Sequence, residues 1–400
     1  MKKSAFFDFF NPARNRDYDE LVEFGVEDKD YINWNEFLLP MDYGDAEKEY
    51  WAIRRSCAIF DVSPIRKIRI TGPAAGELLD YVLTRPVSAA DDMRGIYVAY
   101  CHQDGNIKDD SILYKFAHDD YLLMPSDIDH SGHLESFREF LAISPQDLTI
   151  TECTDNWHGV AIQGPLSLSI LASMGFDQVA DLHPFEVRYY EISGSTIVVA
   201  RMGFTADLGY EIWFEPAFTE VFQGLIQAVR QTNKLDVPGY GLTALEACRL
   251  EGAFIVAGWD FSTEADPDPE FSRTPFEVGL GWLVDLEGQD FVGRSALIEQ
   301  KAKGQKFVLR QFEIDMNCPI EDGCAVYVIV DGEDKKIGSI NCSAWSWGLK
   351  KMIGNVSIQS GYSDRSEASI LFQDVRYRLV LTRGPLVHLA RRSQVPAPDK

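Results

Sequence analysis

Two segments of this 400-residue chain repeat one local pattern: an apolar strand, a Gly-Pro turn and an amphipathic helix. The first reads IRITGPAAGELLDYVL (68–83) and the second VAIQGPLSLSILASM (160–174), with Gly72 and Gly164 in the same place and a proline after each. Proline is favoured at the first helical position, where its missing N–H is not needed. Two such units predict an α+β architecture with an internal pseudo-repeat and not a solenoid, which needs several stacked copies.

The length of the chain and the pattern of its last quarter indicate more than one domain. Four hundred residues exceed what one ordinary hydrophobic core supports, so two or three domains are expected. From about Lys306 the sequence becomes short apolar strands separated by turns, which predicts a small closed or nearly closed β domain. Residues 259–275 are polar and rich in proline, which is typical of a long surface loop.

A strand meander is predicted around GNIKDDSILYKF, residues 105–116. It follows the strand-like run IYVAYC, and a second turn at residues 118–120 leads into YLLM, so three antiparallel strands are expected. Alternation along the middle strand places Asp110 on the apolar face with Tyr114 and Asp109 on the opposite face. A carboxylate on an apolar face is costly unless a donor or a cation meets it. From this stretch alone, a turn-end aspartate that caps its own loop explains the pattern equally well.

The choice between the two aspartates depends on regular alternation. One extra residue at the turn exit, a β-bulge, would exchange their faces. Because Asp109 shares its face with Ser111 and Lys115, Asp109→Asn is expected to be milder than Asp110→Asn.

Two later segments supply further candidates. The run STIVVARMGFTADLGYEIWF (195–214) predicts two strands, on which Glu211 and Trp213 share one face and Tyr210 lies on the other. On the predicted helix LTALEACRLEGAF, Arg249 stands where leucine is expected. Either this arginine extends its guanidinium to solvent, or the guanidinium is anchored and fixes a carboxylate or a loop.

The composition excludes several classes of function. A net charge of −24 argues against a nucleic-acid partner and disfavours docking onto an acidic carrier protein. The longest apolar runs fall far short of the roughly 20 residues that span a membrane, so no membrane partner is expected. No G-x-G-x-x-G or Walker loop is present, and nucleotide cofactors are therefore not expected. The N-terminus has too few apolar residues for a secretory signal, which makes the cytoplasm the default location.

Cysteine and histidine patterns do not predict a metal site. The seven cysteines are scattered and contain no C-x-x-C, which favours reduced thiols over a disulfide framework or a zinc site. His130 and His133 have H-x-x-H spacing, but no third ligand accompanies them, so a solvated helix face is favoured over a metal. His158 is a candidate acid, although a histidine beside a tryptophan more often has a structural role.

Several short runs, in order along nearly the whole chain, resemble the glycine cleavage T-protein (aminomethyltransferase) family. The resemblance implies a three-domain, clover-like fold with tetrahydrofolate in a central hole and a β-barrel as the last domain. It implies a discontinuous folate-binding domain (1–62 and 158–275), a second α+β domain with the meander (63–157), and a linker with the barrel (276–400). The matching runs are CAIFDVS (57–63), ITGPAAGELL (70–79), DGNIKDDSILY (104–114), AIQGP (161–165), MGFTADLGYEIWF (202–214), ACRLEGA (247–253), GLGWLV with FVGRSAL (279–297) and GSINCSAWSWGLKKMI (338–353).

The resemblance also assigns roles to single residues. The family's carboxylate near N5 and N10 of folate matches Asp110, with Asp109 as the second candidate. Its pterin-binding carboxylate matches Glu211, and a carboxylate can accept two adjacent pterin N–H groups. The folate site implied in this way consists of Glu211, Arg249, Tyr97, Tyr210 and Trp213.

Departures from the T-protein pattern favour one branch of the family. Residues 344–349 differ from the S-P-x-L-G loop of the T-proteins. The segments FLLPMDY and GLKKMI are more similar to the tetrahydrofolate-dependent demethylases of dimethylsulfoniopropionate, vanillate and syringate. This likeness implies Trp345, Trp347 and Tyr43 at the substrate, where indole rings face a methylated cation. Ordinary barrel packing is the alternative for the two tryptophans.

The resemblance implies an enzyme that moves a methyl group from a small S-, N- or O-methylated substrate to N5 of tetrahydrofolate, with no lipoyl carrier protein. Asp110 would orient N5 and offset the positive charge that develops there. Two alternatives stay open. One is aminomethyl transfer from a lipoyl carrier, as in glycine cleavage, and the other is a non-catalytic folate-binding protein.

Overall fold

A computed structural model of the chain describes residues 2–10, 30–126, 128–264, 267–316 and 318–394. None of the helices in these ranges has the length and apolar character needed to cross a bilayer. The described strands are β1 (Lys2–Lys3), β2 (Tyr31–Trp34), β3 (Phe37–Pro40), β4 (Ala58–Asp61), β5 (Ile68–Thr71), β6 (Arg94–Cys101), β7 (Ile107–Ala117), β8 (Asp120–Pro125), β9 (Thr149–Glu152), β10 (His158–Gln163), β11 (Val187–Ile192), β12 (Ser195–Ala200), β13 (Gly209–Phe214), β14 (Phe307–Ile314), β15 (Ala325–Val330), β16 (Glu333–Ser346), β17 (Lys351–Gln359), β18 (Glu367–Phe372) and β19 (Val375–Thr382). The described α-helices are α1 (Phe7–Phe10), α2 (Ala46–Arg55), α3 (Ala75–Val82), α4 (Ser131–Phe140), α5 (Ser167–Ser173), α6 (Thr219–Asn233), α7 (Leu242–Glu251) and α8 (Arg294–Lys303).

The described strands form two five-stranded sheets, one closed barrel and one small sheet. The meander sheet has the order β6-β7-β8-β5-β9, and the second large sheet has the order β11-β12-β13-β10-β4. Strands β14-β17-β16-β15-β18-β19 close into an antiparallel barrel, and β1-β3-β2 form the small sheet. The predicted α+β class with a C-terminal β-barrel is confirmed, whereas the predicted domain boundaries stay a prediction.

The two strand–Gly-Pro–helix units have the same backbone conformation at their turns. Gly72 has φ of 117° and Gly164 has φ of 122°, a region that favours glycine. A Cβ at Gly72 would lie 2.4 Å from the Asp147 carbonyl oxygen, and one at Gly164 would lie 2.6 Å from that of Ile53. Each helix begins three residues after its glycine, so the prolines precede the helices and do not occupy their first positions.

Each large sheet buries one face under helices and turns the other towards its counterpart. Helices α3 and α4 cover the outer face of the meander sheet, and α5 and α6 cover the outer face of the second sheet. The inner faces meet in a shared core to which Tyr114 and Met124 contribute from one sheet and Val198 and Trp213 from the other. A buried side chain of this size contributes about 1.5–3 kcal/mol, so the shared core fixes the two sheets against each other.

A buried carboxylate joins the barrel to α2 and α7, two helices that contribute to the shared core. Glu251, at the end of α7, accepts hydrogen bonds from Tyr50 Oη at 2.7 Å and Arg54 Nη2 at 2.8 Å, both on α2. Ser346 Oγ of β16 donates to the same carboxylate at 2.5 Å. Removing one partner of a buried ion pair costs about 3–5 kcal/mol, so these contacts lock α2, α7 and the barrel together.

Candidate active site

The meander holds its two adjacent aspartates in a regular register. Strand β7 pairs with β6 so that Asp109 lies opposite Tyr100. A bulge is present at the turn exit, between Tyr100 and Cys101, and it is accommodated at Lys108. Because the bulge precedes both aspartates, Asp109 and Asp110 point to opposite faces of the strand.

Asp110 lies on the inner face and is half-buried. Tyr97 Oη, on the neighbouring strand, donates a hydrogen bond to Asp110 Oδ2 at 2.5 Å. Burial, followed by repulsion from Asp109, raises the pKa of Asp110 to about 7. A carboxyl group that titrates near neutrality can hold or release a proton at ordinary pH, as a general acid–base group must.

Asp109 lies on the outer face and is completely buried, with 0% of its surface exposed. Its Oδ2 atom is 2.9 Å from His130 Nε2 and accepts a hydrogen bond from Ser126 Oγ at 2.7 Å. Tyr100 Oη donates to the same oxygen at the longer distance of 3.4 Å. The other oxygen accepts the backbone N–H of Asp110 at 2.9 Å. Since Asp109 is a buried acceptor, the milder effect expected for Asp109→Asn no longer follows.

The solvated helix face predicted for the H-x-x-H pair is wrong for His130. This residue precedes α4, is 1% exposed and contacts Asp109, whereas His133 is half-buried. The H-x-x-H spacing does not show which residues of a neighbouring strand cover the start of the helix. Among the residues that the structure describes, no three His, Cys, Asp or Glu side chains are arranged to hold a metal ion.

Glu211, on β13, lies on the inner face of the second sheet. We call the region between the two inner faces, bordered by Asp110, Tyr114, Glu211 and Trp213, the inner space. Tyr114 Oη, four residues beyond Asp110 on β7, donates to Glu211 Oε2 at 2.9 Å, and Trp213 Nε1 donates to Tyr114 Oη at 3.2 Å. Burial raises the pKa of Glu211 to about 7. At about 3.3 Å per residue, Asp110 and Tyr114 lie roughly 13 Å apart along one face. The inner space therefore has a carboxyl group near each end.

A glycine and a buried lysine shape the surroundings of Trp213. Gly159 is its partner across the strand pair, and a Cβ at this glycine would lie 2.2 Å from the indole ring. Lys67 Nζ is 4.8 Å from the centre of that ring and donates to the carbonyls of Ser63 at 2.9 Å and Ile65 at 2.6 Å. Burial lowers the pKa of Lys67 to about 7.

Arg249 is fully buried, and its guanidinium is anchored, which decides between the two alternatives that the sequence left open. It donates to Glu246 at 2.7 Å and to Asp260 Oδ2 at 3.3 Å. Burial and repulsion from Asp109 are the larger effects on the pKa of Asp110, and the charge of Asp260 adds to them. Arg249 therefore holds in place a carboxylate whose charge contributes to the raised pKa of Asp110.

Tyr210 does not share the inner space with Glu211. It lies on the opposite face of β13, in the apolar core with Ile212 under α5 and α6. The prediction placed Tyr210 in the folate site, but adjacent residues of a strand face opposite sides of its sheet. We therefore remove it from the candidate site.

The three predicted substrate residues have their described contacts in three different places. Trp345 packs against the barrel core, as the packing alternative holds. Trp347 packs against the shared core, and its ring lies 5.3 Å from the Tyr50 ring on α2. The Tyr43 ring lies 5.9 Å from the Phe10 ring of α1. The structure does not bring these three residues together.

A cleft of about 1130 Å³ lies between β16, residues 258–259 and 268–273, and the turn before β7. Trp259 and Asn106 line it, whereas Asp110 and Glu211 do not. Because Asn106 is four residues from Asp110, the cleft lies at the turn end of the meander.

The polar groups of the inner space suit a reduced pterin. Glu211 accepts a hydrogen bond at Oε2 from Tyr114, and a carboxylate has about four acceptor positions. Adjacent N–H groups of a pterin can therefore still be accepted by Glu211. Trp213 and Tyr114 supply aromatic surface beside that carboxylate. These residues therefore fit the hydrogen-bonding edge of a pterin.

Comparison with known proteins identifies the family and the fold. The profile of the GCVT N-terminal domain matches residues 18–288. An aminomethyltransferase of Lysinibacillus sphaericus (strain C3-41) is 29% identical over 375 residues, 92% of this chain and 96% of that protein. A trimethylamine-oxide aldolase of Ruegeria pomeroyi is 31% identical over 313 residues, 75% of this chain but 38% of that protein. The crystal structure of aminomethyltransferase T from Bartonella henselae has a TM-score of 0.77 at 18% identity, covers 98% of both chains and shows the same fold.

Proposed function

The chain belongs to the GCVT family of one-carbon-transferring enzymes, and on that premise we propose that it moves a methyl group from a small S-, N- or O-methylated substrate to N5 of tetrahydrofolate. The observation that carries the proposal is that Asp110 and Glu211 face one inner space from two sheets, where Tyr114, four residues beyond Asp110 on β7, donates a hydrogen bond to Glu211. One carboxyl group is available to bind the pterin and the other to serve the reacting atoms.

The residues of this chain contribute orientation and charge. Tetrahydrofolate, when bound, supplies the nucleophilic nitrogen that accepts the one-carbon unit. Glu211 accepts hydrogen bonds from the pterin edge and fixes its orientation. Ionised Asp110 places negative charge beside the reacting nitrogen and accepts a proton there. The hydrogen bond from Tyr97 holds Asp110 in one orientation before the reaction, which lowers the entropic cost of alignment.

Two considerations support a sulfonium or a methylated nitrogen compound as the methyl donor. The trimethylamine-oxide aldolase relative supports a small methylated nitrogen compound, because its name specifies such a substrate. Sulfonium and quaternary ammonium compounds already carry a good leaving group, whereas an aryl ether also needs a proton donor at its oxygen. A donor of the first kind fits a site in which Asp110 is ionised.

Aminomethyl transfer from a lipoyl carrier is the second candidate. It is favoured by the aminomethyltransferase relative, which aligns over 96% of its own length. We place it second because a net charge of −24 opposes docking onto an acidic carrier. The relatives described above are named as enzymes, so the non-catalytic alternative has no support among them. A cytoplasmic location and the absence of a nucleic-acid partner stay predictions from the sequence.

Analysis of the folate products tests the proposal. Purified protein is incubated with tetrahydrofolate and one donor at a time: a sulfonium, a quaternary ammonium compound, an amine oxide, a methoxyaryl compound, or an aminomethylated lipoyl carrier. Methylated folate from a small donor, lost in Asp110→Asn, is the expected result. Methylene folate from the lipoyl carrier alone would favour the second candidate, and no folate product with any donor would contradict both.

A further inference from the structure

Asp109 and His130 form an enclosed polar pair that the mechanism above does not use. Both are almost completely buried, and Asp109 Oδ2 lies 2.9 Å from His130 Nε2. Ser126 supplies two more donors to the same oxygen, its hydroxyl at 2.7 Å and its backbone N–H at 3.3 Å. A carboxylate can accept hydrogen bonds but cannot donate them, so the hydrogen of this contact is on His130 Nε2. The imidazole therefore donates to Asp109 whether or not it is also protonated at Nδ1.

The imidazole of His130 is held in one orientation. His130 is the residue that precedes α4, and its carbonyl accepts the Leu134 N–H at 2.9 Å. The edge of the ring meets Tyr100, with ring centres 4.8 Å apart and an interplanar angle of 86°. Because both backbone and ring are fixed, the Nε2–H bond stays aimed at Asp109.

The contact with His130 extends to Asp110 through Asp109. Asp109 Oδ1 accepts the backbone N–H of Asp110 at 2.9 Å, so the position of one carboxylate and the backbone of the other are tied together. The negative charge of Asp109 also opposes ionisation of Asp110. It is the second-largest cause of the raised pKa of Asp110, after burial. A donor that partly offsets the Asp109 charge therefore makes Asp110 easier to ionise.

Other charged and titratable groups surround the pair without replacing this contact. Lys108 is paired with Glu264, which His102 also approaches at 3.9 Å. His133 lies with its ring centre 6.0 Å from that of His130. The groups that face the pair or Asp110 from the surrounding elements are Tyr97 and Tyr100 of β6, Lys108 of β7, Asp129 and Arg66 near the start of α4, His133 of α4, and His102, Asp260 and Glu264 of loops.

We propose that His130 is a positioning residue, whose hydrogen bond holds Asp109, offsets its charge, and so sets the pH at which Asp110 loses its proton. The inference rests on the proposed function for the part that Asp110 plays in turnover. Its effect on the proton of Asp110 is independent of any substrate.

The titration of Asp110 is measured first, without substrate. The infrared band of its protonated carboxyl group is identified by its absence in Asp110→Asn and followed against pH. In His130→Phe the hydrogen bond is lost and the midpoint is expected to rise by about one pH unit. In His130→Gln an amide N–H replaces Nε2–H and the midpoint stays near that of the wild type. His133→Gln, one helical turn away with no bond to Asp109, is the matched control and leaves the midpoint unchanged.

Turnover is then measured with an active donor. A rise of about one unit lowers the ionised fraction of Asp110 at pH 7 about fivefold. His130→Phe is therefore expected to lose about fivefold in kcat at pH 7 and to recover at higher pH, with KM for folate unchanged. A merely structural role would lower kcat at every pH alike.

Three results would overturn the inference: an unchanged midpoint in His130→Phe, an equal shift in His130→Gln, or an equal shift in His133→Gln. Ser126→Ala removes a second donor from the same oxygen and is expected to shift the midpoint in the same direction by less. If His130→Phe does not fold, an unchanged titration midpoint of Asp110 in Ser126→Ala would overturn the inference instead. Failure of the proposed function would appear as absent folate products while the infrared titration still gives its answer.

Discussion

Tyr114 on the meander sheet donates its hydroxyl hydrogen to Glu211 on the second sheet at 2.9 Å. The same hydroxyl accepts the indole N–H of Trp213 at 3.2 Å. One phenol therefore joins the strand that carries Asp110 to the strand that carries Glu211. The separation of the two carboxyl groups depends on how the two sheets pack and not on a flexible loop.

Glu211→Ala is expected to weaken tetrahydrofolate binding by about 1–3 kcal/mol, because pterin N–H groups lose their acceptor in a buried site. Tyr114→Phe, which keeps the carboxylate and removes one donor to it, is expected to weaken binding less. Isothermal titration calorimetry measures both. Equal affinity of the wild type and Glu211→Ala would remove Glu211 from the folate site.

Folate affinity is expected to depend on pH through Glu211. Burial raises the pKa of this carboxyl group to about 7, and only its ionised form accepts two pterin N–H groups. Binding therefore releases a proton below about pH 7, and affinity rises with pH up to about 7 and levels off above it. Calorimetry in two buffers of different ionisation enthalpy counts the released proton. A Kd that does not change between pH 5.5 and 8.5 (~3 units across the transition) would contradict this prediction.

Asp110→Asn is expected to abolish turnover and to stabilise the protein at high pH. The pKa of Asp110 is raised to about 7 in the folded chain, so its contribution to stability is full below the unfolded value near 3.8 and is lost as pH rises through 7. Asparagine carries no charge at any pH and escapes that loss. Urea unfolding at about pH 8 should show a gain on the order of 1–3 kcal/mol.

The comparison at low pH is the control for that experiment. Near pH 5 the wild-type carboxyl group is protonated in the folded protein, so the difference between wild type and Asp110→Asn should shrink. A variant that is less stable than the wild type at both pH values would show that Asp110 makes stabilising contacts beyond the Tyr97 hydrogen bond.

Gly159→Ala is expected to destabilise the chain by about 1–3 kcal/mol, because the new methyl group would lie 2.2 Å from the Trp213 ring and force it to move. The moved indole also loses its bond to Tyr114, so folate affinity falls too. Gly224→Ala is the matched control, since this α6 glycine has open space around it and alanine should add about 0.5–1 kcal/mol. Urea unfolding followed by tryptophan fluorescence compares the two.

Local periodicity was sufficient where one strand decides the outcome. The two-residue period of a strand correctly placed Asp110 and Asp109 on opposite faces. It also placed Glu211 and Tyr210 on opposite faces, which was already an argument against including Tyr210 in the predicted site. Tyr114, which the prediction left out of the folate site, lies on the face already assigned to Asp110. Its position on that face could have identified Tyr114 as a site residue from the sequence.

Contacts between distant segments were beyond such patterns. His130 meets Asp109 across 21 residues only because the fold brings the start of α4 against the outer face of β7. Asp260 comes from a polar loop without periodicity, yet its carboxylate binds Arg249 of α7 and Asn355 of the barrel. Lys67 shows a different limit: its ammonium group is satisfied by the nearby carbonyls of Ser63 and Ile65, but no periodic pattern predicts that it is buried.

The contacts of Glu251 have a consequence for the order in which a newly synthesised chain assembles. Tyr50 leaves the ribosome 201 residues before its carboxylate partner, and Ser346 follows that carboxylate by 95 residues. Until β16 emerges, Glu251 has its α2 partners but lacks the serine that ties it to the barrel. Nascent chains halted before β16 should therefore already join α2 to α7, while resistance to protease across the whole molecule should arise only after the barrel has been translated.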